Sequence, residues 1–81
     1  MIDETMLRKT IAANVVRLRK ARGFSQQKLA EVTGVGRITI AKIETEKLTP
    51  GAAILFTIAD ALGVSADQLR QISEAAASRS A

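Results

Sequence analysis

Residues 25–44 read SQQKLAEVTGVGRITIAKIE, a pattern of two short helices around a tight turn. Ser25 is a good N-cap, because its hydroxyl can accept from an otherwise orphaned backbone N–H of the first turn. Leu29 and Ala30 open an apolar face that Thr33 leaves thin. Gly34 stands where a helix ends on a left-handed residue, a conformation that glycine adopts freely. Val35 is an apolar plug between the helices. Gly36 can cap the second helix, though it brings no side-chain oxygen. Ile40 and Ile43, three apart, give that helix its inner face. Arg37, Ile38, Thr39, Ala41 and Lys42 are left on the outer faces. A short helix with a basic, small-residue outer edge, propped by the helix before it, is a shape that the major groove of a duplex admits.

Outward from this stretch, the chain of 81 residues has the length of one small domain, 1–81, with a core from about residue 5 to 76 and a tail, 77–81, expected to fray. It contains no cysteine and no histidine, which removes disulfides and Cys/His metal sites. No clustered carboxylates stand in for them, so general acid–base or nucleophilic catalysis has little to work with and an enzyme is not expected. No cofactor is implied. No apolar run approaches membrane-spanning length. The N-terminus, MIDETMLRK, has acids before its first base and no apolar stretch behind it, unlike a signal peptide. A cytoplasmic protein is the simplest expectation. Net charge is +4 but unevenly placed: residues 1–50 carry +5 and residues 51–81 carry −1. A basic half suits a polyanion, and a near-neutral half leaves a face for something else. Ordinary surface charge on a small domain would also account for it.

In chain order, residues 3–22 form the first expected helix, with Asp3 and Glu4 at the positive end of its dipole. Leu7, Ile11, Val15 and Leu18 make its amphipathic stripe, with Val16 off it. Gly23 ends the helix and Phe24 tucks back. Helices over 26–33 and 37–45 follow. Thr49 is read as the cap of a fourth helix, 50–62, with Pro50 at its first position. Leu55, Ile58, Ala59 and Leu62 supply that helix's core stripe. Ser65 and Gln68 make a capping-box pattern for a fifth helix, from Ala66 to about Ala76, with Leu69 and Ile72 apolar. Five helices with short connections predict an all-α domain.

The blocks LRKARGFSQQKLAEVTGV, ITIAKIE and IADALGVSADQL, spread without a gap from about Ile11 to Leu69, resemble the Cro and lambda-repressor-like family of helix-turn-helix DNA-binding domains, also called the xenobiotic-response-element family. The resemblance implies a compact five-helix fold with the helix-turn-helix at helices two and three. It implies a sequence-specific transcriptional regulator of repressor type that binds double-stranded DNA, commonly as a homodimer on a two-fold symmetric operator. It implies base contacts from Arg37, Ile38, Thr39 and Lys42. Arg37 can pair with guanine O6 and N7. Ile38 either meets a thymine methyl or packs against the second helix, and Lys42 either meets guanine or phosphate. Gln26 matches a phosphate-binding glutamine, and Gln27, Arg17, Arg22, Lys47 and Thr49 join it as phosphate candidates. Glu44 matches an acid that pairs structurally with an arginine at Arg19. Ile54, Leu69 and Ile72 are the candidates for the dimer contact, with closure of the chain's own core as the other role for Leu69 and Ile72. The family commonly has Asn-Gly where Thr45 and Glu46 stand, so either Glu46 is left-handed or the helix ends differently. An antitoxin-type module that neutralises a partner protein is the competing function, and a toxin or polymerase partner stays open. A chain of this size leaves no room for a separate ligand domain.

Overall fold

The computed structural model describes residues 3–72, and all regular structure among them is helical. Five helices follow in order: α1 (Glu4–Ala21), α2 (Gln26–Thr33), α3 (Arg37–Glu44), α4 (Ala52–Leu62) and α5 (Ala66–Arg70). The expected tail at 77–81 lies outside the described residues.

α1 starts at Asp3, whose side chain accepts from the Met6 N–H at 2.7 Å. One face buries Ile11, Ala12, Asn14 and Val15, and the helix packs against both α3 and α5. The core gathers Ile11 and Val15 of α1, Leu29 and Ala30 of α2, Ile40 and Ile43 of α3, Leu55, Ile58, Ala59 and Leu62 of α4, and Leu69 of α5. Phe24 and Val35 pack against this cluster from the turns on either side of α2. Each apolar stripe in the sequence therefore meets the others, and the shared burial is what holds five short helices together.

Three local readings change. Thr49 does not cap α4, because its hydroxyl is engaged with α1: it accepts from Arg8 Nε at 2.7 Å and lies 3.4 Å from a carboxylate oxygen of Glu4. Gly51 takes the cap position without a side-chain bond, and α4 begins at Ala52, leaving Pro50 buried ahead of it. α5 ends at Arg70 rather than near Ala76, since Gln71 turns to an extended backbone (φ −88°, ψ 140°). The carbonyls at this end are taken by Asn14, whose Nδ2 lies 2.8 Å from Leu69 O and 2.7 Å from Gln71 O. Glu46 resolves the other alternative by standing at φ 66°, in the left-handed region.

Leu69 takes the second of the two roles open to it. It is fully buried, so it closes this chain's own core and offers no surface to a second copy. Ile54 is half-buried and packs against the same core. The spacing of four that relates Ile54, Ile58 and Leu62 explains this, because it keeps all three on one helix face.

Candidate nucleic-acid interface

α2 and α3 pack on each other across the Gly34–Val35–Gly36 turn. Gly34 ends α2 at φ 74°, with its N–H donating to Ala30 O. Ser25 opens α2 by accepting from the Lys28 N–H at 2.9 Å. Thr33 spends its hydroxyl locally, donating to Leu29 O at 2.6 Å and accepting from the Val35 N–H at 3.1 Å. These bonds set the bend between the helices before any tertiary contact is counted.

The bend decides which side of α3 faces out. Ile40 and Ile43 are buried. Arg37, Ile38 and Lys42 are exposed, and Thr39 and Ala41 are half-buried. Ile38 is 71% exposed, which removes the packing alternative for it. The leading turn of α3 thus presents a cation, a branched apolar side chain and a hydroxyl, with Lys42 further along the helix. Lys47, in the loop that follows, is also exposed.

At the end of α3 lies a partly buried polar cluster. Glu44, whose side chain is 4% exposed, accepts from Arg19 at both oxygens, Nε to Oε2 at 2.7 Å and Nη2 to Oε1 at 3.1 Å. Arg19 also donates to Phe24 O at 2.8 Å. Gln26 joins the cluster, donating from Nε2 to Glu44 Oε1 at 3.0 Å. The pairing of Glu44 with Arg19 is the one the family resemblance implies, and the bond between Gln26 and Glu44 is additional to it. Both residues were already singled out, but their 18-residue separation hides a contact of this kind from local pattern.

The remaining phosphate candidates are dispersed. Gln27 is exposed on α2, with Nε2 3.4 Å from Glu31 Oε2. Arg17 is exposed and reaches Asn14 Oδ1 at 3.3 Å. The guanidinium of Arg22 lies over Gly63, at the end of α4. Thr49 is tied to Arg8 and Glu4. The contacts therefore bring Gln26 to the C-terminal end of α3, while Thr49 is engaged with α1.

On the far half, Phe56 of α4 is 60% exposed and Ile72 is 56% exposed. Phe56 borders an open apolar groove of about 400 Å³ between α4 and α5, whose lining includes Ala52, Leu55 and Ala66, with Asp67 and Arg70 among its polar residues. Phe56 was not singled out from the sequence. Its offset of two from Ile54 and Ile58 puts it across the helix from them, which was the available signal. Among the described residues no acidic or thiol cluster could hold a metal ion, and no helix is long and apolar enough to cross a membrane.

Residues 15–69 match the helix-turn-helix (HTH_3) family model. The chain is 36% identical over 58 residues to the HTH-type transcriptional regulator SutR of Escherichia coli, a match covering 72% of this chain and 33% of that protein. It is 37% identical over 51 residues to YazB of Bacillus subtilis, an uncharacterized HTH-type transcriptional regulator, covering 63% of this chain and 74% of that one. Among solved structures, an HTH_3 family transcriptional regulator from Vibrio cholerae superposes with a TM-score of 0.78 at 33% identity, over 83% of this chain and 38% of that chain. A hypothetical transcription factor, NHTF, from Neisseria superposes with a TM-score of 0.83 at 29% identity, over 98% and 91%. The chain thus spans only a third or so of the Escherichia coli and Vibrio cholerae proteins but most of the Neisseria one. With the family model covering all of α2, α3 and α4, the chain belongs to the helix-turn-helix family.

Proposed function

We propose that the protein is a sequence-specific double-stranded DNA-binding transcriptional regulator that acts in the cytoplasm as a homodimer and reads the major groove with α3. The observation that carries this reading is the exposure of Arg37, Ile38 and Lys42 on a helix whose opposite face is buried. Ile38, exposed at the head of this helix and outside the core, meets an apolar group such as the thymine methyl. Arg37 reads guanine, and Thr39 and Lys42 reach a neighbouring base. Gln26, Gln27 and Lys47 fix the register on phosphates, which position the protein without specifying sequence. Thr49 reaches phosphate only by leaving Arg8 and Glu4, while Arg17 and Arg22 are exposed and join from the first helix.

A single module of this size reads about half a helical turn, and pairing supplies the rest. Phe56 and Ile72, on the half of the chain that carries no excess positive charge, form the surface on which two copies meet. Selection from a random duplex pool tests the reading. The expected product is a two-fold symmetric site with half-sites about 10 base pairs apart. Recovery of no consensus, with tight binding to an unrelated small protein instead, replaces it with the antitoxin-type alternative.

A further inference from the structure

The bond from Gln26 to Glu44 joins the first residue of α2 to the last residue of α3. Glutamine is a flexible side chain with three torsions, and holding it for a ligand costs rotamer entropy. Here the cost is met in the free protein. The Glu44 carboxylate, when ionised, can only accept, so it fixes which end of the Gln26 amide turns inward: Nε2 must face it. One N–H of that nitrogen is consumed, and the second, with Oε1, has no protein partner among the described residues. Arg19, bonded to both Glu44 oxygens, balances the carboxylate's charge and so limits its repulsion of an anion nearby.

Resting on the DNA-binding reading above, we infer that Glu44 is a positioning residue for backbone recognition. It holds Gln26 so that the free Nε2–H is presented to a phosphate oxygen before DNA arrives. The grip on the backbone at α2 is thereby set by the same residue that ends the recognition helix, and the phosphate contact and the base-reading helix move as one unit. Preorganisation of this kind raises affinity by removing the ordering cost from the binding step.

Two experiments test it. The first compares Gln26→Ala in the wild-type protein and in an Arg19→Met/Glu44→Met background, with binding to the selected duplex read by fluorescence anisotropy and folding by urea denaturation. Replacing a buried ion pair by packed apolar side chains often leaves stability intact. In the wild-type protein Gln26→Ala weakens binding about tenfold. In the double-Met background the loss is smaller, because Gln26 there has to be ordered as DNA binds. An equal loss in both backgrounds overturns the inference while leaving the DNA-binding reading standing; absence of duplex binding by the wild-type protein overturns that reading itself.

The second uses the unmodified protein and follows the two Gln26 side-chain amide protons by NMR. One proton is protected from exchange in the free protein, and the other becomes protected on addition of the duplex. Equal, unprotected exchange of both in the free protein, or no change of either with the duplex, overturns the inference even where the double-Met variant does not fold.

Discussion

The side-chain amide of Asn14 lies 2.8 Å from the backbone carbonyl of Leu69, across 55 residues of chain. The same nitrogen is 2.7 Å from Gln71 O, and Asn14 is 3% exposed. α5 has only five residues, too few to hold itself in water. Its start is secured by the Ser65–Gln68 capping box and its end by Asn14. Asn14→Leu removes the donor and leaves buried carbonyls without a partner. A loss of about 2 kcal/mol in urea denaturation is expected, with protection of the Leu69 amide falling first in hydrogen exchange. Unchanged stability would contradict this role.

Glu46 sits at φ 66°, where a residue with a Cβ is held at a cost of about 1–2 kcal/mol. It is exposed, and its side chain makes no described hydrogen bond or ion pair. Glu46→Gly should therefore raise stability, by about 1 kcal/mol, which thermal denaturation can measure. A lower melting temperature would mean that the side chain contributes more than its backbone strain removes.

Arg37→Ala is expected to leave the fold unchanged, because Arg37 is exposed and has no ion-pair partner among the described residues. Its effect falls on discrimination, with a loss of about 1–3 kcal/mol at one base pair of each half-site. Repeating the duplex selection with the variant shows whether that position alone relaxes. A consensus identical to that of the wild-type protein removes Arg37 from base reading.

Lys47→Ala addresses positioning instead of reading. Neutralised phosphates release counterions, so log affinity falls with log salt by about 0.9 per contact. The variant should bind every sequence more weakly and lower that slope by about 1. A full series of affinities against salt concentration distinguishes this from loss of a base contact, which changes selectivity more than slope.

Phe56→Ala probes association. An exposed side chain contributes little to the single chain, so stability at low concentration should change by less than about 0.5 kcal/mol. Self-association should weaken at least about tenfold, because aromatic anchors dominate interfaces of this kind. Sedimentation equilibrium reads the difference, and an unchanged dimerisation constant moves the contact away from α4.

What could be read from the sequence was what neighbours decide. Ser25, Gly34 and the Ser65–Gln68 pair act within three or four residues, and the bounds of α2 follow from them. The stripes through Ile11, Ile40 and Ile58 come from helical periodicity, and all three residues are buried. What remained hidden was decided by partners far along the chain. Thr49 looked like a cap until Arg8 claimed its hydroxyl from 41 residues away. α5 looked longer because Asn14 carries no local sign that it ends a helix 54 to 57 residues later. The exposed head of α3 was readable because only two of its side chains were needed inside.

α1 meets three separate parts of the molecule along its length: Arg8 holds the loop at Thr49, Asn14 the end of α5, and Arg19 the end of α3. At about 1.5 Å of rise per residue its eighteen residues make a rod of roughly 27 Å. Along that length it ties the loop before α4, the end of α5 and the end of α3 to one axis. Moving any one of these grips along α1 would shift α3 against α4 and α5 while every exposed residue of those helices stayed the same.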